Sequence, residues 1–445
     1  MRAKPWQRIA GVALACLTVP AWGFDLLNAY RDALANDANF LAARSAVEAA
    51  REALPQARAG LLPVVAASAQ RTQNETVNRQ RLSGRTFDTP SDYRAESGSI
   101  SLRQPLYRKY NWAQLSLAEA QVAAAEAGFE KDRQDAGLRV AGAYFDVLLA
   151  QAPVRALQAQ LEALAGQQKL AERAFAAGSG TRTDIDESRA RALQAKAALV
   201  DASYILDNNR RTLAALVGKS PPTLADVVPT RLGLVPVEPL LLEHWLQQME
   251  AANPELATLR RQVEMAQQDV ERQRAGHFPT LDLVAARQYG ANESNISINI
   301  SYFTNYVGVQ LSVPIFNSGG VLAGVRQAEA NLDKARHLLE AGRQRLSVDT
   351  QKYFYGVAQG VEKVQAFEAA LQSAEEALRS IRKGAQAGTH TLVDVLNALQ
   401  RMAESTRALA QARYEFLLNR MRLAAAAGQL DDELFAKINS SLGQP

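Results

Sequence analysis

The 445-residue chain carries 50 lysines and arginines against 46 acidic residues, and this formal charge of +4 gives no overall basic field and argues against nucleic acid as a partner. A single cysteine, Cys16, excludes a disulfide framework and a cysteine-held metal site. With 7% aromatic residues and abundant Ala, Gln, Arg and Glu, the composition points to long helices rather than compact globular domains.

Arg2, Lys4 and Arg8, the apolar run from Ile9 to Val19 and the small-residue site Ala21-Trp22-Gly23 form the pattern of a secretory signal peptide over residues 1–23. Acylation at Cys16 is the competing reading, but Ala13-Leu14-Ala15 fits a lipobox poorly and Leu17 to Trp22 prolong the apolar stretch. Cleavage after Gly23 starts the mature chain at Phe24, without a thiol and with a charge of +1 in place of +4. Beyond the leader, the best candidate for a transmembrane helix, Gly142 to Val154, is too short and contains Asp146.

The mature chain repeats itself. Residues 177–218 and 387–428 align at a constant offset of 210 with 15 of 42 positions identical, among them Gly178/Gly388, Thr181/Thr391, Asp184/Asp394, Tyr204/Tyr414, Asn209/Asn419 and Gly218/Gly428. Upstream, Arg58-Ala59-Gly60 answers Arg274-Ala275-Gly276, and Gln104-Pro105-Leu106-Tyr107 answers Val313-Pro314-Ile315-Phe316. Each half reads helix, strand, loop, strand, very long helix, turn, helix, giving a first repeat over 24–218 and a second over 240–428. Pro221, Pro222, Pro229, Pro236 and Pro239 forbid regular helix and mark 219–239 as a linker, and 429–445 is left as a C-terminal tail.

In the first half, strands are expected over about 61–71 and 97–107, separated by a polar loop from Arg71 to Ala95. Ile100, Leu102 and Leu106 alternate with Ser99, Ser101 and Arg103. The second pair is expected over about 278–289 and 304–316, with Val307, Val309, Leu311, Val313 and Ile315 on one face and Tyr306, Gly308, Gln310 and Ser312 on the other. Ten-residue strands with one apolar and one polar face suit a lipid-facing barrel with a wet lumen, and equally an ordinary antiparallel sheet with one solvated face.

After the strands, residues 111–176 and 321–386 would each be about 100 Å long if helical throughout. Pro153, and Gly356 with Gly360, predict a kink or break partway along. Glycine-rich turns at Gly178 to Asp184 and Gly388 to Asp394 then reverse each segment into a shorter helix, completing hairpins over about 111–217 and 321–427. The returning helices carry heptads, Ala192, Leu199, Leu206 and Leu213 in one and Met402, Leu409, Phe416 and Leu423 in the other, which imply antiparallel coiled-coil pairing. An adaptor or structural rod in the periplasm would share these hairpins.

A membrane sheet cannot have open edges, and four strands are too few to close a barrel, so several chains must contribute if the strands span a membrane. Two, three or four protomers would each serve. The order of elements, the duplication, and the stretches Ala387-Gly-Thr-His-Thr-Leu-Val-Asp-Val-Leu-Asn397 and Ala412-Arg-Tyr-Glu-Phe-Leu-Leu-Asn419 resemble the TolC family of outer-membrane factors. The resemblance implies an α+β membrane protein forming a homotrimer, whose twelve strands make one barrel in the outer-membrane lipid, continued by a periplasmic α-helical coiled-coil tunnel. It further implies a passive exit duct for drugs or type I secreted proteins, opened at its tip by a periplasmic adaptor and an inner-membrane RND or ABC transporter.

By the same resemblance, the turns holding Gly178, Gly180, Gly388 and Thr389 are the docking tips. Asp394 supplies an acidic ring at the constriction, and Thr183 with Asp184 the hydrogen-bonding side of the gate. Capping of a helix start is the plainer role for both aspartates. Two positions depart from the family pattern: Asn397 stands where a second acidic ring is expected, and His390 replaces a gate arginine with a side chain that can lose its charge near neutral pH. No enzyme, cofactor or metal is expected. His244, His277, His337 and His390 are widely scattered, and Gly218-Lys219-Ser220 lacks the first glycine and the preceding strand of a phosphate loop.

Overall fold

A computed structural model describes residues 24–220, 223–292 and 300–443. The expected leader, with Cys16, lies outside them. The chain opens with α1 (Leu26–Asn36), α2 (Ala38–Arg51) and α3 (Ala53–Ala59), then β1 (Val64–Leu82), β2 (Arg85–Arg108), α4 (Lys109–Ala176) and α5 (Arg182–Val217). The second half follows the same plan with α6 (Leu242–Ala252), α7 (Pro254–Arg274), β3 (Thr280–Asn292), β4 (Ile300–Ser312), α8 (Gly320–Gln386) and α9 (Leu392–Ala426), before a short α10 (Asp432–Asn439).

The four strands make one antiparallel sheet in the order β1-β2-β3-β4. Its register puts Val65, Leu102, Ala285 and Val307 side by side on one face, with Leu283 opposite Val309 and Leu281 opposite Leu311. Ser68 opposite Ser99, Ser101 opposite Ala286 and Asp282 opposite Gln310 occupy the other. The alternation read along single strands therefore continues across all four, as the two-residue side-chain period requires. On the polar face, Arg108 holds the buried Asp282 bidentately, its Nε donating at 2.7 Å. Because Arg108 directly precedes α4, this pair fastens the sheet to the first long helix.

Two strand expectations are corrected. The loop from Arg71 to Ala95 is instead a hairpin whose pairing continues from Arg71 opposite Glu96 out to Leu82 opposite Arg85. Its two-residue turn, Ser83-Gly84, has both φ angles positive, 51° and 81°, a geometry whose twist matches the flanking strands. β4 ends at Ser312, so Val313 and Ile315 do not share its face. Pro314 has no N–H to give a ladder.

The long helices α4 and α8, of 68 and 67 residues, run the length of the molecule, roughly 100 Å at the ordinary helical rise. Near the sheet they pack against α2, α3 and α7; towards the other end they pair with α5 and α9. The heptad positions Leu206 and Leu213 of α5 and Leu409, Phe416 and Leu423 of α9 are buried in those seams. At mid-height residues 223–239 pack as irregular chain: Phe24 N–H donates to the Thr223 carbonyl at 3.1 Å, and Tyr144 Oη donates to the carbonyls of Phe24 and Ala225.

The expected break in the long helices does not occur. α4 continues through Pro153, which forfeits one backbone bond in a helix held from several sides. Gly356 and Gly360 are sites of close approach: a Cβ on Gly360 would lie 3.0 Å from Phe416 Cδ2, and one on Gly356 2.6 Å from Asn419 Nδ2. Overpacking this contact should destabilise the hairpin, so Gly360→Leu is expected to cost about 1 to 3 kcal/mol, measured as a lowered thermal unfolding midpoint.

Candidate functional site

The end of the molecule far from the sheet is made by the two turns between α4 and α5 and between α8 and α9. Both are built alike. Gly178 and Gly388 take φ of 72° and 79°, the left-handed conformation glycine adopts without a Cβ clash. Each ends its long helix in a Schellman pattern: Gly178 N–H donates to Phe175 O and Ser179 N–H to Ala174 O, matched by Gly388 to Ala385 and Thr389 to Gly384.

Three residues after each glycine a threonine begins the next helix. Thr181 and Thr391 accept from the amides of Asp184 and Asp394 at 3.2 Å, while each aspartate's Oδ2 accepts from the threonine's amide and hydroxyl, at 3.1 and 2.7 Å in the first turn and 2.8 Å for both in the second. These are reciprocal capping boxes. The spacing Thr-x-x-Asp that builds both boxes stands in the sequence. Thr183 lies exposed in the first turn of α5, with no side-chain hydrogen bond among the described residues.

The two turns differ most in bulk where Gly180 is matched by His390. In the first, Gly180 packs so closely that a Cβ would lie 3.0 Å from both Ala174 Cβ and Phe175 N. In the second, the matching residue is His390, and the residue matching Ala174 is Gly384, whose open face receives the imidazole. The exchange of small and large side chains lets a histidine sit where the first turn requires glycine. His390 Nδ1 lies 3.7 Å from Asp394 Oδ2.

Asp184 and Asp394 both titrate below the ordinary carboxyl value of 3.8. For Asp184 the Thr181 hydroxyl contributes most; for Asp394 the Thr391 amide does, then the Thr391 hydroxyl and, with a smaller effect, His390. Asn397 is exposed one turn further along α9. Leu396 of α9 packs with Leu164 of α4 and Ala195 of α5, so the two hairpins lie side by side near this end. His390, Thr391 and Asp394 are thus brought together, while Asp184 is bonded to its own turn.

A sheet with one continuous apolar face above two long helical hairpins defines a channel-tunnel protein rather than an enzyme. The comparisons agree. The chain belongs to the outer membrane efflux protein family, whose model matches residues 29–219 and 245–429. It is 33% identical over 424 residues to the alkaline protease secretion protein AprF of Pseudomonas aeruginosa, covering 95% of this chain and 88% of that protein. It is 32% identical to the proteases secretion protein PrtF of Dickeya chrysanthemi, over 93% of this chain and 90% of that one. Its fold matches the crystal structure of the outer membrane protein VceC of Vibrio cholerae with a TM-score of 0.73 at 21% identity, covering 91% and 97% of the two chains. The protein is an efflux channel of the outer membrane, with its helical part extending into the periplasm.

The capping carboxylates give the tip a definite pH response. Because the capped pKa of Asp394 is depressed, its contribution is fully present above the uncapped value of 3.8 and lost as pH falls through the lower, capped value. Acidification below about 4 should therefore increase local opening of the turn beyond the intrinsic pH effect, measured as reduced amide exchange protection at Thr391 and Asp394. In Thr391→Ala the carboxyl titration should move back up towards 3.8.

Proposed function

We propose that three copies of the chain join their sheets into one twelve-stranded barrel and their helices into one tunnel, the exit duct of a tripartite export system. The observation that carries this reading is the open four-stranded sheet, in which, among the described residues, the edges of β1 and β4 are free and one apolar face is uncovered. Hydrocarbon offers no partner to unpaired backbone groups, so β4 of one protomer must continue into β1 of the next. Exposed apolar residues at helical spacing, Leu193, Val200 and Tyr204 on α5 and Leu338, Val348 and Tyr355 on α8, supply seams for the helical part. The number three rests on the resemblance to the TolC family.

In this assembly the paired turns form the periplasmic mouth. Gly178, Gly180, Gly388 and Thr389 present the surface on which a periplasmic adaptor docks, and an inner-membrane RND or ABC transporter supplies the energy. Asp394 lines the constriction as a ring of three carboxylates, Asn397 leaves the next ring uncharged, and Thr183, Asp184 and His390 form the contacts between neighbouring tips. AprF and PrtF are named for protease secretion, which favours a type I secreted protein as the cargo. Loss of a secreted protein from the culture medium on deletion of the gene would support that cargo; loss of drug resistance alone would reject it.

The lipid side of the sheet is directly testable. Val309→Arg or Leu311→Arg should cost about 2 to 4 kcal/mol at mid-membrane and deplete assembled protein from the outer membrane, whereas Gln310→Arg should assemble normally. For the mouth, Asp394→Ala should weaken the block of single-channel conductance by millimolar multivalent cations added on the periplasmic side. Unchanged block would confine Asp394 to its capping role.

A further inference from the structure

The apolar face of the sheet holds a hollow of about 420 Å³ towards the ends of β3 and β4 that lie away from the helices. The register places Ala67, Ala69 and Gly98 on this face of β1 and β2, and their small size makes the floor. Ile100, Tyr289 and Phe303 stand around it, the two aromatic rings 5.0 Å apart between centroids. All four strands of one chain contribute, so the hollow is complete within a protomer.

Arg287 lies on the same face. No described residue forms an ion pair with it, and it sits six residues along β3 from Leu281, which is at the helical end. That separation is roughly 20 Å along the strand. Its direct cross-strand neighbour is Asn305, yet its guanidinium lies 5.7 Å from the ring centre of Phe303, two residues nearer the outer end. The side chain therefore leans outward, towards the depth where aromatic residues meet lipid headgroups, as a long cationic side chain on a lipid face does. One further rung out, Arg71 is already neutralised by Glu96 at 3.2 Å.

We propose that this hollow binds one phosphorylated glycolipid of the outer leaflet, with a lipid phosphate on the Arg287 guanidinium and an acyl chain laid over Ala67, Ala69 and Gly98. The chemistry fits three features at once. A planar guanidinium matches a phosphate bidentately, no carboxylate among the described residues pairs with the cation, and the small-residue floor accepts a chain that larger side chains would exclude. The inference rests on the outer-membrane reading above and adds to it a ligand and a place.

The test uses the full-length protein, delipidated in detergent and titrated with bis-phosphorylated lipid A, dephosphorylated lipid A or phosphatidylglycerol, with bound lipid counted by native mass spectrometry. The wild type should retain the bis-phosphorylated form roughly tenfold better than the dephosphorylated one, the worth of a charge-assisted hydrogen bond. Arg287→Gln should abolish that preference while still assembling. Gly98→Leu, where an added Cβ meets only the Ser68 carbonyl at 3.8 Å, should weaken binding of both forms. Equal retention by wild type and Arg287→Gln would overturn the proposal, as would phosphatidylglycerol binding as well as lipid A. Normal assembly of Val309→Arg would instead reject the lipid-facing assignment itself, a separate failure.

Discussion

Backbone hydrogen bonding in hydrocarbon is the constraint on which the rest of this structure depends. Among the described residues the four-stranded sheet leaves the edges of β1 and β4 without partners, and one apolar face without cover. In water such a sheet would be an aggregation hazard; in a bilayer its edges must be closed by other copies. The long helices follow from the same requirement. The first strand pair hands its chain directly to α4 at Arg108, and the second reaches α8 through residues 313–319, so that whatever closes the sheet also gathers the helices into a tube.

Duplication lets one local design serve twice. Both tips use a left-handed glycine, a Schellman closure and a Thr-x-x-Asp capping box, which hold the turns rigid with backbone and short polar side chains alone. The same economy appears at mid-height, where Asp37 and Asn253 cap α2 and α7 at matching joints, and Asn253 also donates to the Ala426 carbonyl at 3.0 Å. The halves diverge where they need not be equal. Replacing Gly180 by His390 in the second turn was possible because Gly384 replaced Ala174 beneath it.

Much of this was legible in the sequence because it rests on period and spacing. The apolar alternation of β4, the heptads of α5 and α9 and the repeat offset are patterns that local chemistry imposes directly. The errors came where tertiary context decided the outcome. The polar composition of 71–95 suggested a loop, but polar residues on both faces are what an extension beyond the membrane requires, and Ser83-Gly84 was the overlooked turn signal. Pro153, Gly356 and Gly360 suggested weakness, yet the glycines answer side chains on α9 that no local pattern could identify. At the tips the partners of Asp184 and Asp394 are Thr181 and Thr391, because capping acts across three residues and not between neighbours.

The central claim, that β4 of one protomer pairs with β1 of another, can be tested by cross-linking, since Cys16 is the single cysteine of the sequence and Cys16→Ser leaves a background without thiols. Paired cysteines, one in β1 and one in β4, should form disulfides in the outer membrane that yield covalent dimers and trimers on denaturing gels. Within one chain the two strands stand three strand spacings apart, about 14 Å, far beyond disulfide reach. A ladder ending at the trimer is the predicted result; a register scan that gives only monomers would contradict the account.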